Sequence, residues 1–126
     1  MSESIRTPLG KVRGLGSAKE GAGHFIGQRV TAIANLFLVP WLLISLIFVS
    51  RGGYQGALDF VANPLNAVFV LIAVGSVLYH MRIGMQVVIE DYIAKTGTRL
   101  FLLLLNTFVV VGLFAAAAFS ILEIAT

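Results

Sequence analysis

The chain has 126 residues, 58% hydrophobic and only 12% charged, with a net charge of +3 and no cysteine. A soluble domain carries about 25% charged residues, so this composition belongs to a small membrane protein of one domain. The absence of cysteine excludes disulfides, iron–sulfur ligation and thiol catalysis, and in a membrane protein so small a charge bears on orientation, not on binding nucleic acid.

Residues 1–24 (MSESIRTPLGKVRGLGSAKEGAGH) are polar and glycine-rich, with Arg6, Lys11, Arg13 and Lys19 set against Glu3 and Glu20. They hold no apolar core of a signal peptide and no periodicity. The expectation is a cytoplasmic tail, extended or partly disordered, that is either without a role or ordered by a soluble partner.

Residues 25–126 are expected to form an all-α membrane anchor of three transmembrane helices, over about 27–49, 65–89 and 99–122. A span needs roughly 20 apolar residues, and the run ending at Val49 supplies them. Pro40 lies inside that first span and should kink it. Trp41 beside it falls well inside the span, outside the interfacial belt. Arg51, Gly52 and Gly53 end the helix, and residues 50–64 read as a loop with a short turn near Leu58–Ala62. Asn63-Pro64 is a helix-start signal, Asn as cap and Pro at the first helical position. Residues 90–98 read as the second connector. Lys and Arg crowd the tail, the start of span one (Arg29) and the second connector (Lys95, Arg99), whereas Arg51 stands alone on the other side. The rule that positive loops stay inside puts the N-terminus and the second connector in the cytoplasm and the C-terminus outside.

The second span departs from a plain anchor. It carries His80 and Arg82, and ionisable groups inside a membrane are costly and point to function. At about 100° per residue, His80, Gly84, Val87 and Asp91 share one face. An imidazole with a glycine one turn on suits a porphyrin: the nitrogen ligates iron, and the missing side chain lets the flat ring lie on the helix. The bland alternative, and the commoner fate of a lone membrane histidine, is a hydrogen bond to a neighbouring helix. As no second histidine lies within a span, another chain would have to supply a second axial ligand. Asp91 and Tyr92 end the helix, roughly 17 Å along its axis from His80. They are either solvated interfacial residues or a hydroxyl and carboxylate for a quinone head group. Arg82 points about 200° from His80. It is expected to snorkel to the cytoplasmic surface or pair with an acidic group. Arg29 is the better candidate for a haem propionate, with a simple positive-inside anchor as its alternative. His24 is expected to be solvated and without a role.

The pattern His-x3-Gly-x6-Asp-Tyr in HMRIGMQVVIEDY (80–92) resembles the second transmembrane helix of the hydrophobic membrane anchor of succinate dehydrogenase, respiratory complex II, in its α-proteobacterial or mitochondrial-type form. GHFIGQRVTAIANLFLVPW (23–41), with Gln28, Arg29, Thr31 and Ala32, resembles the family's first helix. The resemblance implies a helix bundle that a sister anchor subunit would complete, supplying the second haem ligand. It also implies an iron–sulfur subunit and a flavoprotein subunit on the cytoplasmic face. It assigns His80 as an axial ligand of haem b iron, beside which Gly84 has the packing role read above, Arg29 to the propionates and quinone pocket, and Asp91 and Tyr92 to ubiquinone. The chain would be a non-catalytic part of the enzyme. The alternatives are the anchor of a quinol:fumarate reductase and a cofactor-free structural membrane protein.

Overall fold

A computed structural model of the chain describes residue 5, residues 7–13 and residues 20–126. The described residues form α1 (Pro8–Arg13), α2 (Glu20–Ser50), α3 (Gly53–Ala62), α4 (Pro64–Tyr92) and α5 (Thr96–Ala125). Three of them, α2, α4 and α5, are long and apolar enough to cross a membrane. Lipid offers the backbone no hydrogen-bond partners, so a continuous apolar stretch closes its own bonds as helix. The chain is therefore a multi-pass, all-α membrane protein. Residues 1–4, 6 and 14–19 of the expected tail lie outside the described residues.

The helices outrun the apolar spans. Residues 20–24 already belong to α2, and α2 continues through Pro40 to Ser50. The second connector shrinks to residues 93–95, because α4 runs on to Tyr92 and α5 starts at Thr96. Arg99 holds that connector, donating from Nε to the Ile93 carbonyl at 2.9 Å and from a terminal nitrogen to the Ala94 carbonyl at 3.2 Å. The expected loop 50–64 is mostly helix α3. Gly53 takes a positive φ of 60°, a conformation that favours glycine, and so the chain turns sharply out of α2 into α3. The Asn63-Pro64 signal acts as read: Asn63 Oδ1 accepts from Leu65 N at 3.0 Å and Asn66 N at 3.5 Å, with Pro64 in the first turn. Trp41 turns inward, its ring 6.0 Å from Phe60 of α3 and 5.6 Å from Phe69 of α4.

Helix α4 stands in the middle of a row. It packs on α2 along one side and on α5 along the other, while the backbones of α2 and α5 stay apart. Among the described residues, those buried are Ala67, Ala73, Ile83 and Ile89 of α4 with Val110 and Ile121 of α5. Large apolar side chains such as Leu36, Phe37 and Phe108 face outward, as lipid or a partner helix requires. Small residues set both seams. On the α5 side, the Phe114 ring sits against Gly75, where a Cβ would come within 3.2 Å of it. On the α2 side, a Cβ at Gly27 would lie 2.9 Å from both a ring carbon and the hydroxyl of Tyr79.

Gly27→Ala is therefore expected to loosen the α2–α4 seam by about 1–3 kcal/mol, since the ring must shift or the helices part. The melting temperature of the detergent-solubilised chain measures this. Gly23→Ala, where a Cβ meets nothing within 4 Å, should not lower it, since alanine favours the helix over glycine.

Candidate functional site

His80 and Arg82 of α4 turn to different neighbours. His80 faces α2, where its Nδ1 lies 3.0 Å from Thr31 Oγ1. One turn back on the same face, Ser76 Oγ donates to the Thr31 carbonyl at 3.4 Å. Arg82 faces α5, its Nε donating to Thr107 Oγ1 at 3.4 Å. Asn106 Nδ2 donates to the backbone carbonyl of Arg82 at 3.0 Å. The expectation that Arg82 reaches the surface or a carboxylate is thus corrected. Two steps of about 100° carry it round to the second seam, where the polar residues of α5 take it up.

Beside His80 the α2–α4 seam opens into a hollow of about 440 Å³, walled by His24, Phe25, Gln28, Arg29, Ala32, Ile83 and Val87. Arg29 lies over the Phe25 ring at 5.1 Å, a cation–π contact that holds the guanidinium beside the opening. Gln28 Oε1 is buried and has no hydrogen-bond partner among the described residues. Such an orphan costs about 1–3 kcal/mol, so the polar wall is incomplete without something beyond the described residues. Space is also free above Gly84, where an added Cβ would meet nothing within 4 Å.

The structure thus brings His80 and Arg29 to one opening, with Gly84 one turn further along α4. It does not bring Asp91 and Tyr92 there. Both are exposed at the far end of α4, Tyr92 by 81%. Spacing along the sequence gives His24, Gln28 and Thr31 no place in a site. They recur at helical spacing on α2, but His24 lies outside the expected helix, and nothing along the sequence shows that this face of α2 meets His80. No cluster of three or more His, Cys, Asp or Glu able to hold a metal ion occurs among the described residues. One imidazole can still serve a metal that is carried within a larger group.

The hollow suits such a group. Thr31 has a single hydroxyl proton and sits 2.7 Å from the Gly27 carbonyl, so His80 can engage it through Nδ1 and keep Nε2 as a free lone pair. A cation stands at the same opening, and a bare glycine follows on the histidine's own face. One ligating nitrogen, one partner for a carboxylate edge and one flat contact are the demands of a haem.

The family described as succinate dehydrogenase/fumarate reductase transmembrane subunit matches residues 3–118. A succinate dehydrogenase hydrophobic membrane anchor subunit of Rickettsia bellii is 36% identical over 98% of this chain and 91% of its own length. Proteins of the same name from Rickettsia conorii and Paracoccus denitrificans are 35% and 30% identical, over 75% and 74% of this chain and 75% and 71% of their own. With its three spans in a row and these matches along nearly its whole length, the chain belongs to the succinate dehydrogenase/fumarate reductase transmembrane subunit family, among the hydrophobic membrane anchor subunits of succinate dehydrogenase.

Proposed function

We propose that the chain anchors a succinate:ubiquinone oxidoreductase, contributes one axial ligand to haem b through His80, and forms part of the ubiquinone site with Asp91 and Tyr92. The observation that carries the haem assignment is the hollow that joins His80 to Arg29 beside Gly84. Bound there, haem b supplies a one-electron carrier whose potential its ligands and surroundings tune. His80 would hold the iron and Arg29 a propionate, while Gly84 leaves the ring face unobstructed. A sister anchor would close the other side and provide the second ligand, since the remaining histidine of this chain lines the same hollow as His80.

Lys95 and Arg99 flank the end of α4, and the basic tail and Arg29 lie at the start of α2. The membrane of a bacterium would retain that side in the cytoplasm. Asp91 and Tyr92 then project where soluble iron–sulfur and flavoprotein subunits would dock. The Tyr92 hydroxyl would donate to a quinone carbonyl oxygen, and the Asp91 carboxylate would orient a donor or relay a proton. The names of the relatives favour succinate oxidation over fumarate reduction.

The test is to purify the assembly through a tag on this chain and record a reduced-minus-oxidised optical spectrum. Flavoprotein and iron–sulfur chains should co-purify, with a b-type haem band. Partners without the band would remove haem from the proposal. A colourless protein without partners would remove the whole reading.

A further inference from the structure

We propose that Thr31 is the positioning residue for His80, fixing its tautomer and ring plane and so setting the potential of the haem that His80 ligates. The inference rests on the proposed role of His80 and adds a residue to it.

The single proton of the Thr31 hydroxyl decides how the ring is held. Thr31 Oγ1 lies 2.7 Å from the Gly27 carbonyl, 3.2 Å from the Gln28 carbonyl and 3.0 Å from His80 Nδ1. A hydroxyl has one proton to give and lone pairs to receive. The shortest contact is to Gly27, the usual back-bond of a helical threonine four residues on, and a carbonyl can only accept. The proton therefore goes to Gly27. The contact to His80 is satisfied only if Nδ1 carries a hydrogen and donates it to the threonine oxygen. That leaves Nε2 unprotonated, the form an imidazole must have to bind iron.

The seam holds this geometry rigid. Gly27 has no side chain, so the Tyr79 ring closes on α2 at the turn just before Thr31. Ser76 Oγ, one turn before His80 on α4, ties the Thr31 carbonyl at 3.4 Å. Thr31 is branched at Cβ, so its own back-bond leaves the hydroxyl little freedom. The result is a relay of polarised bonds from the imidazole N–H through the hydroxyl to the Gly27 carbonyl. An acceptor behind a ligating histidine raises the ligand's basicity, and a chain of such bonds strengthens each member. A more basic ligand favours ferric over ferrous iron, so Thr31 lowers the haem potential.

The experiment is a redox titration of the purified complex, following the haem band in wild type, Thr31→Val, Thr31→Ala and Thr31→Ser. Valine keeps the shape and removes the hydroxyl. At the wild-type midpoint, the ferrous-to-ferric ratio should rise about fivefold in Thr31→Val, the worth of one neutral hydrogen bond. Thr31→Ala should move it in the same direction, and Thr31→Ser should restore the wild-type value. Should Thr31→Val fail to assemble, Thr31→Ala against Thr31→Ser decides alone. The inference is overturned if the valine and alanine variants titrate like wild type, or if serine shifts as far as valine, for then the methyl and not the hydroxyl matters. A wild-type complex without haem would overturn the proposed function as well. Wild-type haem that His80→Ala disturbs and Thr31→Val does not would overturn only the role of Thr31.

Discussion

Replacing His80 with alanine is expected to abolish or shift the b-type haem band of the purified complex while leaving succinate oxidation by an artificial dye intact. The dye reaction would draw on the proposed flavoprotein and iron–sulfur subunits, since this cysteine-free chain cannot ligate an iron–sulfur cluster itself. The choice between loss and shift turns on His24, the chain's one other histidine, which lines the same hollow. If its imidazole takes the vacated place, a b-type band survives at a changed wavelength in His80→Ala and disappears in the double variant with His24→Ala. His24→Ala alone should keep the wild-type band. Loss of an outer partner of a metal ligand already costs about 10–100-fold in affinity, so losing the ligand itself should reduce haem content at least as much in the double variant. An unchanged spectrum in that variant would show that His80 is no ligand, leaving it as a hydrogen-bonding histidine between two helices.

Tyr92→Phe is the second large effect. Tyr92 is 81% exposed, and no hydrogen bond joins its hydroxyl to another described residue. Removing the hydroxyl thus breaks nothing within the described chain, and any lost activity reports a partner or ligand. If the hydroxyl donates to a quinone carbonyl, turnover with quinone should fall about 5–10-fold, the cost of one hydrogen bond at a reacting oxygen, with the dye reaction unaffected. Asp91→Asn is an equally clean change, since Asp91 is also exposed. It should slow quinone reduction if the carboxylate moves a proton or orients its donor. Wild-type quinone kinetics in both variants would remove this end of α4 from the site.

Two readings of His80 looked exclusive in the sequence: a haem ligand, or a histidine bonded to a neighbouring helix. The structure makes them compatible, because the two ring nitrogens divide the tasks. Nδ1 meets Thr31, which leaves Nε2 for a ligand. No spacing rule along a single helix carries that information, as the partner lies 49 residues away. Arg82 shows the converse. Its angle from His80 follows from the sequence, but its destination at Thr107 depends on α5 lying on that side.

The sequence by itself determined that three helices cross the membrane, where α4 begins, and which residues of α4 share a face. The reasons are local: lipid forces an apolar run to bond within itself, Asn63 caps its own helix, and the 3.6-residue turn fixes angles along one axis. It did not reveal α3, since a ten-residue helix between two spans that opens on Gly52-Gly53 and holds Gly56 reads as a loop. Nor could it order the helices. Spans that are apolar nearly all round carry little to distinguish one face from another. Only the tertiary structure decided that α4 stands between α2 and α5, through close approaches at Gly27 and Gly75. Those contacts bring Thr31 to His80 and send Arg82 to the opposite seam, because packing of small residues, not hydropathy, selects which faces of apolar helices meet.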